Sequence, residues 1–456
     1  MVYDLIVLGG GPGGYRAAEL ASQAGFKTVL VEKDRLGGTC LNRGCIPTKA
    51  YYADAVGKLG PVDKMWAKKE AVVSKLQKGI ATLMDRCSVD VVKGIGTLGD
   101  LSGEEKELKI STDQGEVVLK GRRLIIAVGA MSKPLSFPGS DLEGVIGGDW
   151  AVTDQGMWDQ SMADQVSSVA VVGAGVIAVE LAGILKDLGK EVTLLKHSDQ
   201  ILRRCDEDVK KKVRQAVKKK KIATVDYFRI KEAVKEDGRL KVKGEAEGKD
   251  LEVLCDRLIL AASMVPILEG YGLEASGVAY TDQGISVDRN MMTSKEGVYA
   301  IGDCTGGMML AHLAEYQALS AVEHMAGREY YVDPAKVPSC IFFDPEIAVV
   351  GLTEEEAVAK GHDTVVGRVF FVANGMALAM DRSDGFVKVV ADRADGRILG
   401  VHIVGPEAAT LISEAALAIA KDMTVKEVAY TVHPHPTLSE CFKDALFRIL
   451  EDTSHS

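Results

Sequence analysis

Tyr3-Asp4-Leu5-Ile6-Val7-Leu8, followed at once by Gly9-Gly10-Gly11-Pro12-Gly13-Gly14, leads through an Ala-rich run to Gly25 and then to Thr28-Val29-Leu30-Val31-Glu32. This stretch reads as strand, glycine turn, helix and strand, which is a βαβ unit. In Gly9-x-Gly11-x-x-Gly14 the first glycine allows the tight turn. The second lets a pyrophosphate approach the backbone, and the third lets helix and strand pack. The helix start offers free N–H groups and partial positive charge to phosphates. Glu32 ends the second strand, where a carboxylate accepts hydrogen bonds from ribose hydroxyls. A glycine-rich turn alone would suit many α/β proteins. Strand, turn, helix, second strand and acidic residue in this order point to dinucleotide binding.

The pattern recurs. Ser168-Val169-Ala170-Val171-Val172 precedes Gly173-Ala174-Gly175-Val176-Ile177-Ala178, a helical stretch to Gly189, and Val192-Thr193-Leu194-Leu195-Lys196. Lys196 stands as far beyond Gly173 as Glu32 stands beyond Gly9. Two repeated units suggest two nucleotide-binding domains in one chain. The second copy differs in having Ala178 as its third glycine position and Lys196 at its strand end. A cation cannot accept a hydrogen bond from a ribose hydroxyl, but it pairs with a 2′-phosphate. Arg203 and Arg204 follow closely. This favours NADP over NAD; the other reading is a surface lysine with NAD held by other groups.

Residues 123–129 form a strand-like run that returns the chain from the first unit, and residues 258–262 do the same for the second. Val298-Tyr299-Ala300-Ile301-Gly302-Asp303 reads as a strand going back to the first domain. From about Tyr331, strand-like runs at 385–390 and 398–404 alternate with a helical Ala-rich stretch at 408–420, an α+β pattern. The expected division is 1–147 and 265–330 for a first nucleotide-binding domain, 148–264 for a second, and 331–456 for a dimerisation domain. The fold class is α/β with a C-terminal α+β domain. Lys218–Lys221 reads as a solvated helix end, and residues 233–254 as a charged surface hairpin.

Length and composition agree. The 456 residues allow about three domains. Hydrophobic residues at 47% and charged residues at 26% exclude a disordered or collagenous chain. A formal charge of −10 disfavours a nucleic-acid surface. The longest run without a charge, Gln165–Val179, is shorter than the roughly 20 residues of a membrane helix. Asp4 interrupts the first apolar stretch, so no secretory signal is expected. With the cysteines scattered, that implies a reducing, cytoplasmic compartment.

Of 8 cysteines only Cys40 and Cys45 are close, in Cys40-Leu41-Asn42-Arg43-Gly44-Cys45-Ile46-Pro47-Thr48-Lys49. A disulfide across so short a loop adds little chain-entropy stabilisation, so an exchangeable dithiol explains the pair better. Near a helix N-terminus such thiols gain thiolate character. A metal site would need a second ligand pair, and none has zinc-like spacing. Near the C-terminus lies His433-Pro434-His435-Pro436-Thr437-Leu438-Ser439-Glu440. Taken alone, it fits a rigid loop best. Thiol exchange also needs a proton acceptor, and a histidine oriented by a carboxylate suits that role.

Gly37-Gly38-Thr39-Cys40 through Lys49 resembles the pyridine nucleotide-disulfide oxidoreductases, most of all their dihydrolipoamide dehydrogenase branch. Thr293-Ser294, Val298–Asp303, Met309-Leu310-Ala311-His312, Val337-Pro338-Ser339 and His435-Pro436-Thr437 match family motifs in order, so the resemblance spans the chain. It implies FAD extended over the first domain. The expected contacts are Gly9, Gly11, Pro12, Gly13, Gly14, Glu32, Lys33, Gly38, Thr39, Lys49 and Gly96, with Ala127, Val128 and Gly129, and with Gly302, Asp303, Met309, Leu310 and Ala311. The nicotinamide nucleotide is expected on Gly173, Gly175, Val176, Ile177, Glu180, Lys196, Arg203 and Ser263. The resemblance also implies that Cys45 faces the flavin and Cys40 exchanges with substrate. Lys49 would pair with Glu180, and His435 of the other subunit, held by Glu440, would take the proton. No metal is expected.

The sequence departs from the pattern in three places. The second glycine turn is similar to that of the NADPH-using glutathione reductases. Ser263-Met264-Val265-Pro266-Ile267 replaces the usual Gly-Arg-x-Pro-Asn, and Pro434 replaces the usual Ala. The expected function is a homodimeric flavoprotein passing electrons between NAD(P)(H) and dihydrolipoamide, free or on a lipoyl carrier domain. The rivals are an NADPH-dependent reductase of a small disulfide and a flavin-loaded scaffold with little turnover.

Overall fold

The computed structural model describes residues 2–57, 62–148, 151 and 165–454. Residues 149–150 and 152–164 of the expected second domain lie outside this set. Strands Asp90–Lys93, Thr28–Glu32, Val2–Leu8 and Gly115–Ile126 lie side by side, all parallel. Lys106–Thr112 and Ile95–Leu98 extend the sheet antiparallel. Val298–Ala300 joins it parallel to Gly115–Ile126, with Val298 opposite Leu124. Leu5, Ile6, Val7, Leu124, Ile125 and Ile126 are fully buried. Continuous apolar runs of this kind are what a parallel sheet covered on both faces demands.

A second parallel sheet runs Ala223–Val225, Glu191–Leu195, Ser168–Val172, Arg257–Leu260 and Val145–Gly147. Beside it stands an antiparallel three-stranded sheet, Arg229–Glu236, Arg239–Ala246 and Lys249–Cys255. Its turns are Asp237-Gly238 and Glu247-Gly248, with φ of 49°, 79°, 52° and 77°. Paired positive φ values are the tight-hairpin geometry that Asp-Gly sequences favour. The hairpin expected over 233–254 is therefore one strand larger.

The C-terminal part is an antiparallel sheet ordered Ser339–Ile341, Glu346–Gly351, Ile398–Gly405, Phe386–Asp392, Thr364–Phe370. Helices Ala408–Ala420 and Glu440–Ser454 pack on it through Ile412, Ala415, Phe442 and Leu446.

The lysine run is only partly a solvated helix end. Helix Glu207–Lys219 carries Lys212 to Asp384, and Lys220 lies 2.6 Å from Asp187 and 3.5 Å from Asp344. Through Asp384 and Asp344 these cations fasten the second nucleotide unit to the C-terminal sheet, while the Lys220–Asp187 pair lies within the unit. The tightest fastening is buried. Lys388, 2% exposed, donates to both oxygens of Asp206, 0% exposed, at 2.9 Å. It also meets Asp208 at 2.9 Å and Glu354 at 2.7 Å. Burial would raise the Asp206 carboxyl, but the Lys388 ammonium and His402 outweigh it and hold the group below its usual range.

Lys388→Met leaves Asp206 buried without its cation, which costs about 3–5 kcal/mol. A lower thermal midpoint at neutral pH is expected. Because the folded-state value of Asp206 is depressed, the pair's contribution is complete above the unfolded carboxylate value. It is lost as pH falls through the folded value, so wild type and variant converge in acid. Equal midpoints at pH 7 would refute this.

Candidate active site

The first glycine turn is shaped for close approach. Gly9 has φ +105°, and a Cβ there would lie 2.4 Å from the Ala127 carbonyl oxygen. A Cβ on Gly14 would lie 1.8 Å from the Gly9 oxygen, and one on Gly38, 2.7 Å from Gly11 Cα. Gly11 begins helix Pro12–Gln23 with Pro12 at its first position, where a missing N–H costs no hydrogen bond. Glu32 accepts from Gly10 N–H and Asp34 N–H, each at 2.7 Å, so its carboxylate is fixed at the strand end. Lys33 beside it is exposed.

Other expected contacts gather around this turn. Ala127 donates its N–H to Leu8 at 2.8 Å, and Ile301 donates to Ile126 at 3.0 Å. Gly13 sits against Ala314 and Ile301, which seats helix Ala311–Met325 on helix Pro12–Gln23. That packing brings Gly302, Asp303 and the segment from Met309 to Ala311 toward the glycines. Gly302 donates to Gln317 Oε1 at 2.7 Å. Burial pushes the Asp303 carboxyl up to about 6. A desolvated carboxyl beside a glycine cradle fits the hydroxyl-rich chain of a flavin dinucleotide. Gly96 lies close against the strand that leads into this turn: a Cβ there would meet Leu8 Cδ1 at 2.5 Å.

Cys40 lies in the short helix Gly38–Asn42, and Cys45 opens helix Cys45–Gly57. The two are joined as a disulfide, with Cα atoms 4.7 Å apart. Asn42 donates to the Gly38 and Leu36 carbonyls at 2.9 and 3.2 Å, which holds the loop between them. The Thr48 N–H and hydroxyl both donate to the Gly44 carbonyl. Helix N–H groups and partial positive charge at this end favour a thiolate on Cys45 once the disulfide opens.

One turn on, Lys49 reaches across to the second unit. Its ammonium lies 2.8 and 3.0 Å from the two oxygens of Glu180 on helix Val176–Asp187. Glu180 also accepts the Phe342 N–H at 2.9 Å, and Lys49 Nζ stands 4.7 Å from the Phe342 ring centre. Three parts of the chain thus meet beside the disulfide helix. Sequence reading missed Phe342; its only signal was the pair of aromatics before Asp344-Pro345.

The second glycine turn repeats the first. Gly173 has φ +133°, and a Cβ there would lie 2.3 Å from the Ala261 oxygen; Gly175 begins the helix with open space around it. Val176 is 40% exposed. Ala178 is fully buried, a methyl where the first turn has Gly14. Ser263 is exposed and accepts the Lys133 N–H at 2.8 Å. Arg203 is exposed. Lys196 has a different place from the one expected. Its side chain is 6% exposed, 2.9 Å from Asp226, and donates to the Asp199 carbonyl at 3.0 Å. The expected preference for NADP rested on a free ammonium there, and this one already has partners.

His435 lies on the loop before helix Glu440–Ser454, with its side chain 79% exposed. Its Nδ1 is 3.0 Å from Glu440 Oε1, leaving Nε2 to accept a proton. Glu440 also accepts the Thr437 N–H at 2.9 Å. That backbone donor first, and His435 second, hold its carboxyl below the usual range. Among the described residues no hydrogen bond links His435 to Cys40 or Cys45. His433 was read only as part of the loop. It is bound at both nitrogens, to the Thr431 carbonyl and to Glu414, each at 2.8 Å, which ties the loop to helix Ala408–Ala420. Among the described residues no cluster suited to a metal ion is present, and no helix is long and apolar enough to cross a membrane.

Known proteins agree with this architecture. The dihydrolipoyl dehydrogenase of Bacillus subtilis is 38% identical, over 97% of each chain. The mitochondrial dihydrolipoyl dehydrogenase of Pisum sativum is 35% identical, over 99% of this chain and 92% of its own. The solved structure of LpdA from Mycobacterium tuberculosis superposes with a TM-score of 0.89 at 25% identity, covering 97% of this chain and 99% of that one. Residues 337–446 match the dimerisation domain of the pyridine nucleotide-disulphide oxidoreductases. Residues 3–318 match that family's main description, and the chain belongs to the pyridine nucleotide-disulphide oxidoreductases.

Proposed function

We propose that this chain is a homodimeric dihydrolipoamide dehydrogenase, passing two electrons between dihydrolipoamide and a nicotinamide nucleotide. The observation that carries the reading is the Cys40–Cys45 disulfide, on the same helix as a lysine ion-paired to the second nucleotide unit. Gly9, Gly11, Gly14, Glu32 and Asp303 would hold FAD, which would supply a two-electron carrier between nicotinamide and disulfide.

The chain's own groups do the rest. Cys40 exchanges with the substrate sulfur, and Cys45 is the inner thiol. Lys49 and Glu180 hold the disulfide helix against the second unit. His435, oriented by Glu440, takes the proton of the attacking thiol and returns it. Its exposure and its place in the dimerisation domain support delivery to the disulfide of the other subunit. The remaining six cysteines stay unpaired, which supports a reducing cytoplasmic setting.

A second reading is NADPH-dependent reduction of a small disulfide; Ala178 and the exposed Arg203 support it only through the NADP site they suit. Steady-state rates of the purified holoenzyme separate the two. Dihydrolipoamide oxidation is expected to exceed glutathione disulfide reduction by orders of magnitude. The reverse order would replace the first reading by the second, and the absence of both would leave a flavin scaffold.

A further inference from the structure

The two glycine turns end their second strands on opposite charges, and the structure handles the two ends differently. At the first, Glu32 turns back to the turn and accepts the Gly10 N–H at 2.7 Å. At the second, Gly173 donates to the Leu195 carbonyl at 2.9 Å, so Lys196 begins beside the turn just as Glu32 does. Its side chain then goes elsewhere. Strand Glu191–Leu195 runs parallel to Ala223–Val225, with Leu195 opposite Val225. In parallel pairing the next residues, Lys196 and Asp226, are neighbours at the carboxyl ends of the strands, where open α/β sheets bind ligands. The backbone locks this neighbourhood: Lys196 donates to Val225 at 2.8 Å and Phe228 donates to Lys196 at 2.7 Å.

Lys196 Nζ and Asp226 Oδ1 stand 2.9 Å apart, a charge pairing without hydrogen-bond alignment. Asp226 is 40% exposed while the lysine is 6% exposed, so the anion is the partner that faces outward. Leu202 donates to Ala174 at 2.9 Å, which holds the loop carrying Asp199 beside the turn, and the Asp199 carbonyl accepts from the same ammonium at 3.0 Å.

We propose that Asp226 is a specificity-determining residue for the nicotinamide nucleotide. By holding Lys196 it removes the cation a 2′-phosphate would need, and it sets a carboxylate near the ribose end of the site. The chain therefore discriminates against NADP(H) in favour of NAD(H), despite a lysine at the position that normally signals the opposite. The inference rests on reading the second glycine turn as the nicotinamide-nucleotide site.

The test is calorimetric binding of ADP-ribose and 2′-phospho-ADP-ribose to the oxidised holoenzyme, with flavin reduction by NADH and NADPH followed in parallel. Wild type is expected to bind ADP-ribose more tightly. Asp226→Asn frees the ammonium and shifts the ratio of the two affinities toward the phosphorylated probe by about tenfold. Adding Lys196→Met to that variant abolishes the shift. Lys196→Met alone keeps the wild-type preference for ADP-ribose or strengthens it, because it removes the cation and leaves the Asp226 carboxylate without its partner. A ratio unmoved by Asp226→Asn, or a shift that survives in the double variant, overturns the proposal. Failure of both probes and both coenzymes with wild type would instead remove the nicotinamide site itself.

Discussion

Replacing Cys45 with serine is expected to abolish disulfide turnover while FAD stays bound. Serine keeps the size of the side chain and its place at the start of helix Cys45–Gly57, so the helix has no reason to unwind. The glycine turn, Glu32 and Asp303 do not depend on the sulfur for their positions. What is lost is the second half of the disulfide: Cys40 alone can form a mixed disulfide with substrate, but no partner thiol remains to release it. Removing one member of a covalent relay typically costs about 10⁴-fold or more. Lipoamide turnover should fall by at least that factor. Flavin content, read from visible absorbance per protein, should be unchanged. A variant that purifies without flavin would make the pair structural, and turnover within tenfold of wild type would give the sulfur no part in the reaction.

His435→Gln is expected to lower thiol–disulfide turnover by about 10²–10⁴-fold, the usual contribution of a positioned general base. Glutamine preserves a hydrogen bond to Glu440 but cannot accept and return a proton. The pH dependence of turnover should flatten in this variant, which a packing defect would not produce. Flavin reduction by the nicotinamide nucleotide should be little affected, because it precedes thiol exchange. Glu440→Gln should show a smaller loss. The Thr437 N–H and His435 together keep Glu440 ionised well into acid. Its orienting effect is thus complete at neutral pH and is lost only as pH falls through that lowered value. Mixed dimers carrying one Cys45→Ser and one His435→Gln chain would regain activity at one site if the base comes from the partner. Activity no greater than that of the separate variants would place base and disulfide on the same chain.

Much of this molecule was legible in the order of its residues. Both glycine turns, the strands flanking them and the return of residues 298–300 to the first sheet follow from hydrophobic runs broken by glycine. These patterns are local: a strand buried on both faces must be apolar throughout, and a tight turn at φ +105° must be glycine. The close pair Cys40 and Cys45 is local too, since nearby cysteines flanking a short loop have few other uses.

Charged side chains were legible in type but not in employment. Lys196 was recognisable as a cation at a strand end, yet Asp226, which occupies it, comes from a different strand brought alongside by parallel pairing. Lys220 looked like one of four solvated lysines until Asp187 and Asp344 met it. Lys388 gave no local sign of burial, because its partner Asp206 lies in another domain-sized segment. By itself the sequence determined the nucleotide-binding units and the redox pair. Only the tertiary structure decided which charges remain free to meet a ligand, because an ion pair is chosen by proximity in space and a lysine's formal charge is the same whether or not a carboxylate already holds it.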